Sequence, residues 1–203
     1  MIIKSPINFY KLTVDIYKPK VKICVSGAAE TGHCSPKTLE TTLELGKQIA
    51  KHNAITVTGA TTGTPYWAAK GAKEEGGVVI GLSPAYSEAE HLKRYKLPVD
   101  YHDLIIYTGF GYSGRNLLLT RSSDAVIIVC GRIGTLNEFT IAFEDNKVIG
   151  ILEGTGGTAD DVREIIARGH RGPGKIVFNS DPKALVEEVI NLLKSEKSDT
   201  APL

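Results

Sequence analysis

The sequence predicts one α/β domain built on a doubly wound, mainly parallel β-sheet with helices on both faces. Short apolar runs alternate with segments of helical periodicity along residues 21–195. Many of these apolar runs are followed at once by glycine-rich segments, and glycine accounts for 21 of the 203 residues. The length suits one large domain or two small ones, and no linker divides the chain, so we predict a single domain.

The predicted elements alternate between strand and helix throughout. Strands are predicted at residues 21–26, 54–58, 78–82, 104–108, 125–130, 148–152 and 175–178. Helices are predicted at residues 35–52, 65–75, 88–95, 115–123, 136–144, 160–168 and 182–194. The fifth strand is apolar along its whole length, which is typical of a central strand buried on both faces. Such alternation produces right-handed β–α–β units and therefore a Rossmann-like sheet.

Both ends of the chain lie outside this pattern. In residues 9–17, apolar side chains at Leu12, Val14 and Ile16 alternate with polar ones, as in a half-buried strand. We predict that residues 1–20 are an N-terminal extension whose strand lies at a sheet edge or contacts another copy of the chain. Residues 196–203 are predicted to form a polar tail after the domain of residues 21–195.

Charge and composition indicate which classes of binding partner and which cellular compartment to expect. The 24 basic and 23 acidic side chains nearly cancel, so bulk charge indicates neither a nucleic-acid nor a membrane partner. No apolar stretch is long enough to span a bilayer, and charged residues interrupt the N-terminus where a signal peptide needs an apolar region. Cys24, Cys34 and Cys130 are few and not closely paired, so no disulfide framework is predicted. From these absences we expect a cytoplasmic protein.

The cysteines allow two interpretations. Together with His33 they could cluster near the loop edge of the sheet as ligands for a soft metal. Cys24 and Cys130 also suit small, buried apolar groups. We favour the second interpretation and predict no metal site.

Five glycine-rich segments follow a predicted strand and precede a helix. They occupy residues 27–32, 59–63, 109–114, 131–134 and 154–157. The carboxyl ends of parallel strands meet at one edge of the sheet, where ligands bind at the point at which the strand order reverses. Glycine lets the backbone approach a ligand, and helix N-termini offer free N–H groups and a partial positive charge. Tight turns need glycine in any case, but five such turns on one edge predict a pocket for a phosphate-bearing small molecule.

One of these segments also fits a dinucleotide pattern. Gly109, Gly111 and Gly114 match G-x-G-x-x-G between a strand and a helix. The acid that this pattern expects at the end of the next strand is missing, and Arg132 stands nearby instead. An arginine there suits the 2′-phosphate of NADP, so an NADP-binding domain is one alternative.

Four short motifs occur in the order known from one enzyme family. Residues 131–138 (GRIGTLNE) are similar to the signature P-G-G-x-G-T-x-x-E, and residues 58–63 (TGATTG) stand where that family has G-G-G-x-G-L-M-G. Residues 114–116 (GRN) match an arginine–lysine pair, and residues 26–28 (SGA) resemble the C-G-S turn after the first strand. Over about residues 22–152 the chain thus resembles the LOG ("lonely guy") phosphoribohydrolases, often labelled lysine decarboxylases. The wider superfamily includes molybdenum-cofactor carrier proteins and nucleotide sensors.

The resemblance implies hydrolysis of the N-glycosidic bond of a nucleoside 5′-monophosphate to a base and ribose 5-phosphate, with no metal or further cofactor. It implies that the Glu138 carboxylate stabilises an oxocarbenium-like transition state and that Arg115 positions the substrate. The residues implied to bind the nucleotide or its phosphate are Ser26, Gly27, Gly59, Ala60, Thr61, Gly63, Gly114, Asn116, Gly131, Arg132, Gly134 and Thr135. Family members usually form dimers or higher oligomers, so a homo-oligomer is expected.

The sequence departs from the family pattern at positions that bear on catalysis. Cys130 replaces the signature proline, Arg132 replaces its second glycine, and Asn116 replaces the lysine. The long Arg132 side chain either clamps a phosphate or fills the pocket. These departures leave the enzyme assignment open. They support an alternative in which the chain is a non-catalytic carrier or sensor of a phosphorylated cofactor such as molybdopterin.

Overall fold

Seven parallel strands form one sheet, flanked by helices on both faces. The structure is a computed structural model and describes residues 19–199. The strands are β1 (Lys22–Gly27), β2 (Ile55–Thr58), β3 (Val79–Ser83), β4 (Leu104–Tyr107), β5 (Ala125–Val129), β6 (Val148–Leu152) and β7 (Lys175–Asn179). The helices are α1 (Thr38–Lys51), α2 (Thr64–Glu74), α3 (Glu88–Lys93), α4 (Gly111–Arg121), α5 (Ile133–Glu144), α6 (Gly157–Gly169) and α7 (Pro182–Asp199). The predicted doubly wound, parallel sheet is confirmed.

The strand order reverses at the centre of the sheet. The order is β4-β3-β2-β1-β5-β6-β7, and each neighbouring pair is parallel. The chain therefore moves outward from β1 to the β4 edge, returns through α4 to β5, and then moves outward to β7. A crevice opens at such a reversal, between the carboxyl ends of β1 and β5.

The two faces of β1 point into two separate cores. Ile23 and Val25 pack with side chains of α1 and α7, whereas Cys24 packs with side chains of α4, α5 and α6. Burying one such Ile or Val side chain contributes about 1.5–3 kcal/mol. Because side chains alternate along a strand, Ser26 shares the face of Cys24 and points towards the α4–α5 side.

Helix boundaries differ from the prediction where glycine or loop contacts intervene. α1 begins at Thr38, because the Ser35 N–H donates to the Thr155 carbonyl oxygen at 3.0 Å and holds the preceding residues in a loop. α4 begins at Gly111, four residues before the predicted start, because glycine lowers helix propensity by about 1 kcal/mol and hides the first turn. Similarly, α5 begins at Ile133 rather than residue 136. α7 continues to Asp199, past the predicted end of the domain at residue 195.

Some predictions concern residues that the structure does not describe. The strand predicted at residues 9–17 lies outside the described residues, as do residues 200–203 of the predicted tail. The homo-oligomer stays a prediction. Within residues 19–199, the helices are too short or too polar to cross a bilayer.

Candidate functional site

A cleft of about 390 Å³ lies at the carboxyl ends of β1 and β5, where the strand order reverses. This volume is within the range of small-molecule sites, about 300–1,000 Å³. The loops after β1 and β2 and the first turns of α4 and α5 surround it. The lining residues are Gly27, Ala28, Ala29, Glu30, Thr61, Tyr112, Arg115, Asn116, Arg132, Gly134, Thr135 and Glu138.

The N-terminus of α5 forms one wall of the cleft. The N–H groups of its first turn have no partner inside the helix, and the side chain of Arg132, the N-cap residue, does not cap them. Gly131 has φ of +101°, and a Cβ atom there would lie 2.5 Å from Cβ of Thr135. Only glycine permits this turn, which aims the helix N-terminus at the cleft. Free N–H groups and the helix dipole make such a terminus a site for an anion.

Glu138 is a buried acid on the inner stripe of α5. Its side chain lies in the cleft wall, and the residue is 6% exposed. The Ser26 hydroxyl donates to Oε2 of Glu138. The Asn116 side-chain amide lies beside Oε1, and the orientation of that amide which turns its nitrogen towards Glu138 brings the nitrogen to 2.8 Å from Oε1. Burial raises the pKa of Glu138, while the positive charge of Arg115 and the Ser26 hydrogen bond oppose this rise. The net direction is upward, so the carboxyl holds its proton more strongly than an exposed glutamate.

Arg115 brings a buried positive charge from α4. The residue is 5% exposed, and its Nη1 atom lies 3.5 Å from the Leu82 carbonyl oxygen. Among the described residues, Nε has no hydrogen-bond partner. Gly59 makes room for the guanidinium, since a Cβ atom at Gly59 would lie 1.6 Å from Nη1. The guanidinium has donors to spare, and they lie at a cleft that an anion could enter.

An ion pair between Glu30 and Arg132 spans the mouth of the cleft. Arg132 Nη1 lies 2.9 Å from Oε2 of Glu30, and the two side chains are 53% and 78% exposed. An exposed pair of this kind contributes about 0–1 kcal/mol. A phosphate group can therefore compete with Glu30 for the Arg132 guanidinium.

A disulfide between Cys34 and Cys130 joins the loop after β1 to the end of β5. The expectation that the cysteines do not pair was wrong for Cys34 and Cys130. Cys24 and Cys130 are both fully buried, as expected, and Cys24 is free. The two cysteines are 96 residues apart in sequence, but β1 and β5 are neighbours, so their loops meet with Cα atoms 5.8 Å apart. The disulfide also removes one of the reasons for expecting a cytoplasmic protein.

The predicted site residues divide into three groups. Those that line the cleft are Gly27, Thr61, Arg115, Asn116, Arg132, Gly134, Thr135 and Glu138. Ser26 and Gly59 line a small adjoining cavity together with Arg115 and Glu138. The four that do not line either cavity are Ala60, Gly63, Gly114 and Gly131.

Those four residues support the cleft from behind. Ala60 is fully buried, and Gly63 packs so closely on Ala28 that a Cβ atom would lie 2.1 Å from the Ala28 carbonyl oxygen. Gly114 lies inside α4 against Phe110. Ala60, Gly63 and Gly114 therefore pack behind the cleft wall, whereas Gly131 shapes the turn that begins α5. Contact of these four residues with a phosphate stays a prediction.

Sequence reasoning missed Ala28, Ala29, Glu30 and Tyr112 in the lining. Tyr112 lies three residues before Arg115, so the two share one face of α4, and the ring centre lies 5.9 Å from Cζ of Arg115. An earlier helix start in the prediction would have revealed this pair. Glu30 has no comparable signal, because its partner Arg132 is 102 residues away.

Comparison with known proteins identifies the family of the chain and solved structures with the same fold. The profile of the SLOG cluster4 family matches residues 20–186. An uncharacterised protein of Archaeoglobus fulgidus is 31% identical over 133 residues, which cover 66% of this chain and 82% of that protein. The molybdenum cofactor carrier protein of Chlamydomonas reinhardtii has a similar structure, with a TM-score of 0.69, 30% identity and coverage of 87% of this chain and 99% of that chain.

A second solved structure extends the comparison to a phototrophic bacterium. The molybdenum cofactor binding protein of Rippkaea orientalis has a TM-score of 0.69 and 28% identity, covering 89% of this chain and 99% of that chain. The resemblance to the LOG-like superfamily that includes molybdenum-cofactor carriers is therefore confirmed. Since the family profile spans most of the sequence, this chain belongs to the SLOG cluster4 family.

Proposed function

We propose that this protein binds a phosphorylated, nucleotide-like cofactor, specifically a molybdopterin-type cofactor, in the cleft between β1 and β5. The observation that carries the proposal is the buried Arg115 guanidinium, whose Nε has no partner among the described residues, in a cleft that the α5 N-terminus also borders. The similarity to two proteins named as carrying or binding the molybdenum cofactor supports this class of ligand.

Three positive groups converge on the place for a phosphate. The first-turn N–H groups of α5 supply hydrogen bonds and a partial charge, and Thr135 adds a hydroxyl in the cleft wall. The buried Arg115 guanidinium supplies a positive charge from the α4 side of the cleft, and the exposed Arg132 guanidinium supplies another at the mouth. Charge-assisted hydrogen bonds to phosphate are roughly twice as strong as neutral ones, which favours an anionic group here.

The environment of Glu138 suits the binding of a ligand. Ser26 donates to one carboxylate oxygen, and the Asn116 amide lies beside the other. Burial raises the pKa of Glu138, while Arg115 and Ser26 oppose that rise. A carboxyl whose oxygens already have protein partners is suited to orienting a ligand by hydrogen bonds.

The amount of pterin that copurifies with each chain tests the proposal. Purified from a host that makes the molybdenum cofactor, the wild type should carry a pterin that becomes fluorescent after oxidation. Arg115→Met should lower the pterin per chain about tenfold or more, because a hydrogen bond to a charged group contributes about 1.5–3 kcal/mol. Thr135→Val, which keeps the shape of the side chain, should also lower it.

Arg121→Met is the matched control, since Arg121 lies on α4 but pairs with Asp145 on the surface at 2.8 Å. It should retain the wild-type amount of pterin. Equal fluorescence in the wild type, Arg115→Met and Thr135→Val would overturn the proposal.

A second candidate is hydrolysis of nucleoside 5′-monophosphates, favoured by one observation: Glu138 and Arg115 line the same cleft, as the family reaction requires. Release of ribose 5-phosphate from a panel of nucleotides tests it. Turnover by the wild type and its loss in Glu138→Gln, with Glu144→Gln at the exposed end of α5 unchanged, would establish the enzyme. No turnover by the wild type excludes this candidate and leaves the carrier proposal standing.

A further inference from the structure

A cluster of nitrogen and sulfur atoms lies beside the cleft and has no role in the proposed binding of the cofactor. His33, Cys34 and Cys130 bring one ring nitrogen and two sulfur atoms within 4.8 Å of one another. His33 Nε2 lies 3.5 Å from Sγ of Cys130, and the two sulfur atoms are joined as a disulfide. His33 is exposed whereas Cys130 is fully buried, so the cluster can be reached from solvent on the histidine side.

We propose that reduction of this disulfide converts the cluster into a binding site for a divalent cation of the zinc type, held by His33 Nε2 and the thiolates of Cys34 and Cys130. Two cysteines and one histidine are a known donor set for tetrahedral zinc. Bond lengths of about 2.3 Å to sulfur and about 2.0–2.1 Å to nitrogen place tetrahedral nitrogen and sulfur ligands about 3.6 Å apart. The separation of 3.5 Å between His33 Nε2 and Cys130 Sγ already meets this requirement.

The loop after β6 holds the two cysteine loops together independently of the disulfide. The Cys130 N–H donates to Oγ1 of Thr155 at 2.9 Å, and the Thr155 carbonyl oxygen accepts from the Ser35 N–H at 3.0 Å. The Thr38 hydroxyl donates to the same carbonyl oxygen at 3.0 Å. Thr155 therefore bridges both segments, and the three donor atoms stay close when the sulfur–sulfur bond is broken.

Formation of the site is a balanced two-step reaction. A dithiol reductant transfers two electrons and two protons to the Cys34–Cys130 bond and is itself oxidised to a disulfide, which leaves two thiols on the protein. The divalent cation then replaces the two thiol protons, which pass to solvent, and forms two metal–thiolate bonds. His33 Nε2 lies 3.2 Å from the Gly131 carbonyl oxygen in the disulfide form and donates to it, so this proton must shift to Nδ1 before Nε2 binds the cation. Three protein ligands leave a fourth position for water or for a donor atom of a bound molecule.

Cobalt is a suitable probe because tetrahedral Co²⁺ bound by thiolates has strong visible bands and a near-ultraviolet charge-transfer band. The full-length protein is reduced with dithiothreitol, separated from it under nitrogen, and titrated with Co²⁺ in the absence of any phosphorylated ligand. We expect both bands to appear with one cobalt per chain and to disappear when Zn²⁺ is added. The oxidised protein should show neither band.

Substitution of each proposed donor residue identifies which side chains bind the cobalt. Cys34→Ser and Cys130→Ser should abolish the charge-transfer band or halve it, and His33→Gln should weaken Co²⁺ binding by roughly tenfold or more, since even the loss of an outer partner of a ligand costs about 10–100-fold. His33 is exposed, so this variant keeps the fold. Cys24→Ala removes the one cysteine that lies outside the cluster and should change nothing.

Two results would overturn the proposal: no cobalt bands in the reduced wild type, or unchanged affinity and spectrum in His33→Gln. Since no phosphorylated ligand is present, either result is independent of the proposed cofactor binding.

Discussion

Two glycine-rich segments begin the two helices that enclose the cleft, and they do so from different places in the sheet. Residues 109–114 follow β4 at the edge, whereas residues 131–134 follow β5 beside the strand at which the order reverses. The second segment therefore presents the backbone N–H groups of α5 to the cleft. α4 must run from the edge back to the centre, so it reaches the cleft with the side chains of Tyr112, Arg115 and Asn116.

This difference explains why similar glycine patterns serve different purposes. In α5 the glycine fixes a turn at the ligand, and in α4 it allows close packing at a helix start. The position of the strand within the sheet, which local sequence does not encode, decides between the two. The G-x-G-x-x-G pattern at Gly109 thus lies three strands from the reversal at β1, not at the place where a dinucleotide fingerprint binds pyrophosphate.

The largest effect is expected from a methyl group at Gly131. Gly131→Ala would strain a backbone with φ of +101° and push against Thr135. We expect a loss of about 1–3 kcal/mol in the free energy of unfolding and a loss of phosphate-ligand affinity greater than this strain alone explains. Urea denaturation and ligand titration measure the two quantities.

Gly114→Ala is the matched change in the other segment. Gly114 has ordinary helical φ, so alanine adds no backbone strain there, but its Cβ atom would lie 2.7 Å from Cβ of Phe110, and the start of α4 must shift slightly. This variant should keep ligand affinity while losing about 1–3 kcal/mol of stability to the tight contact. Equal losses of ligand affinity in both variants would contradict the distinction between the two segments.

Gly59→Ala should change stability as much as Gly131→Ala does but should lower ligand affinity less, and it tests how the α4 side reaches the cleft. A Cβ atom there would occupy the place of Nη1 of Arg115, so Gly59→Ala should displace the guanidinium. We expect a stability loss of about 1–3 kcal/mol, as for overpacked cores, and reduced ligand affinity. Gly32→Ala is the control, because a Cβ atom there meets nothing within 4 Å. Unchanged affinity in Gly59→Ala would show that Arg115 does not need its observed position.

The sequence predicted the fold well because apolar periodicity and β–α alternation are local. It also identified Glu138, Arg115 and Arg132 as cleft residues through short motifs after strands. It could not predict contacts between loops distant in sequence, such as Cys34 with Cys130 or Glu30 with Arg132, because these depend on which strands are neighbours. Likewise, the start of α4 was misplaced because glycine obscures the helical signal, and Tyr112 was lost with it.

The α5 side of the cleft carries a titratable acid, whereas the α4 side carries a fixed charge, so pH should distinguish them. The pKa of Glu138 is raised by burial, and the native state therefore binds more protons than the unfolded state above the ordinary glutamate pKa of about 4.3. Its contribution to stability is fully present below that pH and is lost as pH rises through the higher native pKa.

The Glu138→Gln variant has no titrating carboxyl at this position, so it does not lose this stability contribution as pH rises. The stability of the variant relative to the wild type should therefore increase between about pH 4 and neutral pH, as measured by urea denaturation at several pH values. The test uses the change in this stability difference with pH and not its absolute size, because glutamine also changes the contacts with Ser26 and Asn116. Parallel curves for the two proteins would contradict the raised pKa.

The smallest effect is expected at the mouth, where Glu30 competes with the ligand for Arg132. Glu30→Gln removes an exposed ion pair and should change stability by less than about 1 kcal/mol. Affinity for a phosphorylated ligand should rise about two- to fivefold at low salt, and the gain should shrink as salt screens the exposed charges. A fall in affinity would mean that Glu30 positions Arg132 for the ligand instead of competing with it. In that case the α5 side would recognise the phosphate through an ordered side chain as well as through its backbone, and the contrast with α4 would be one of degree.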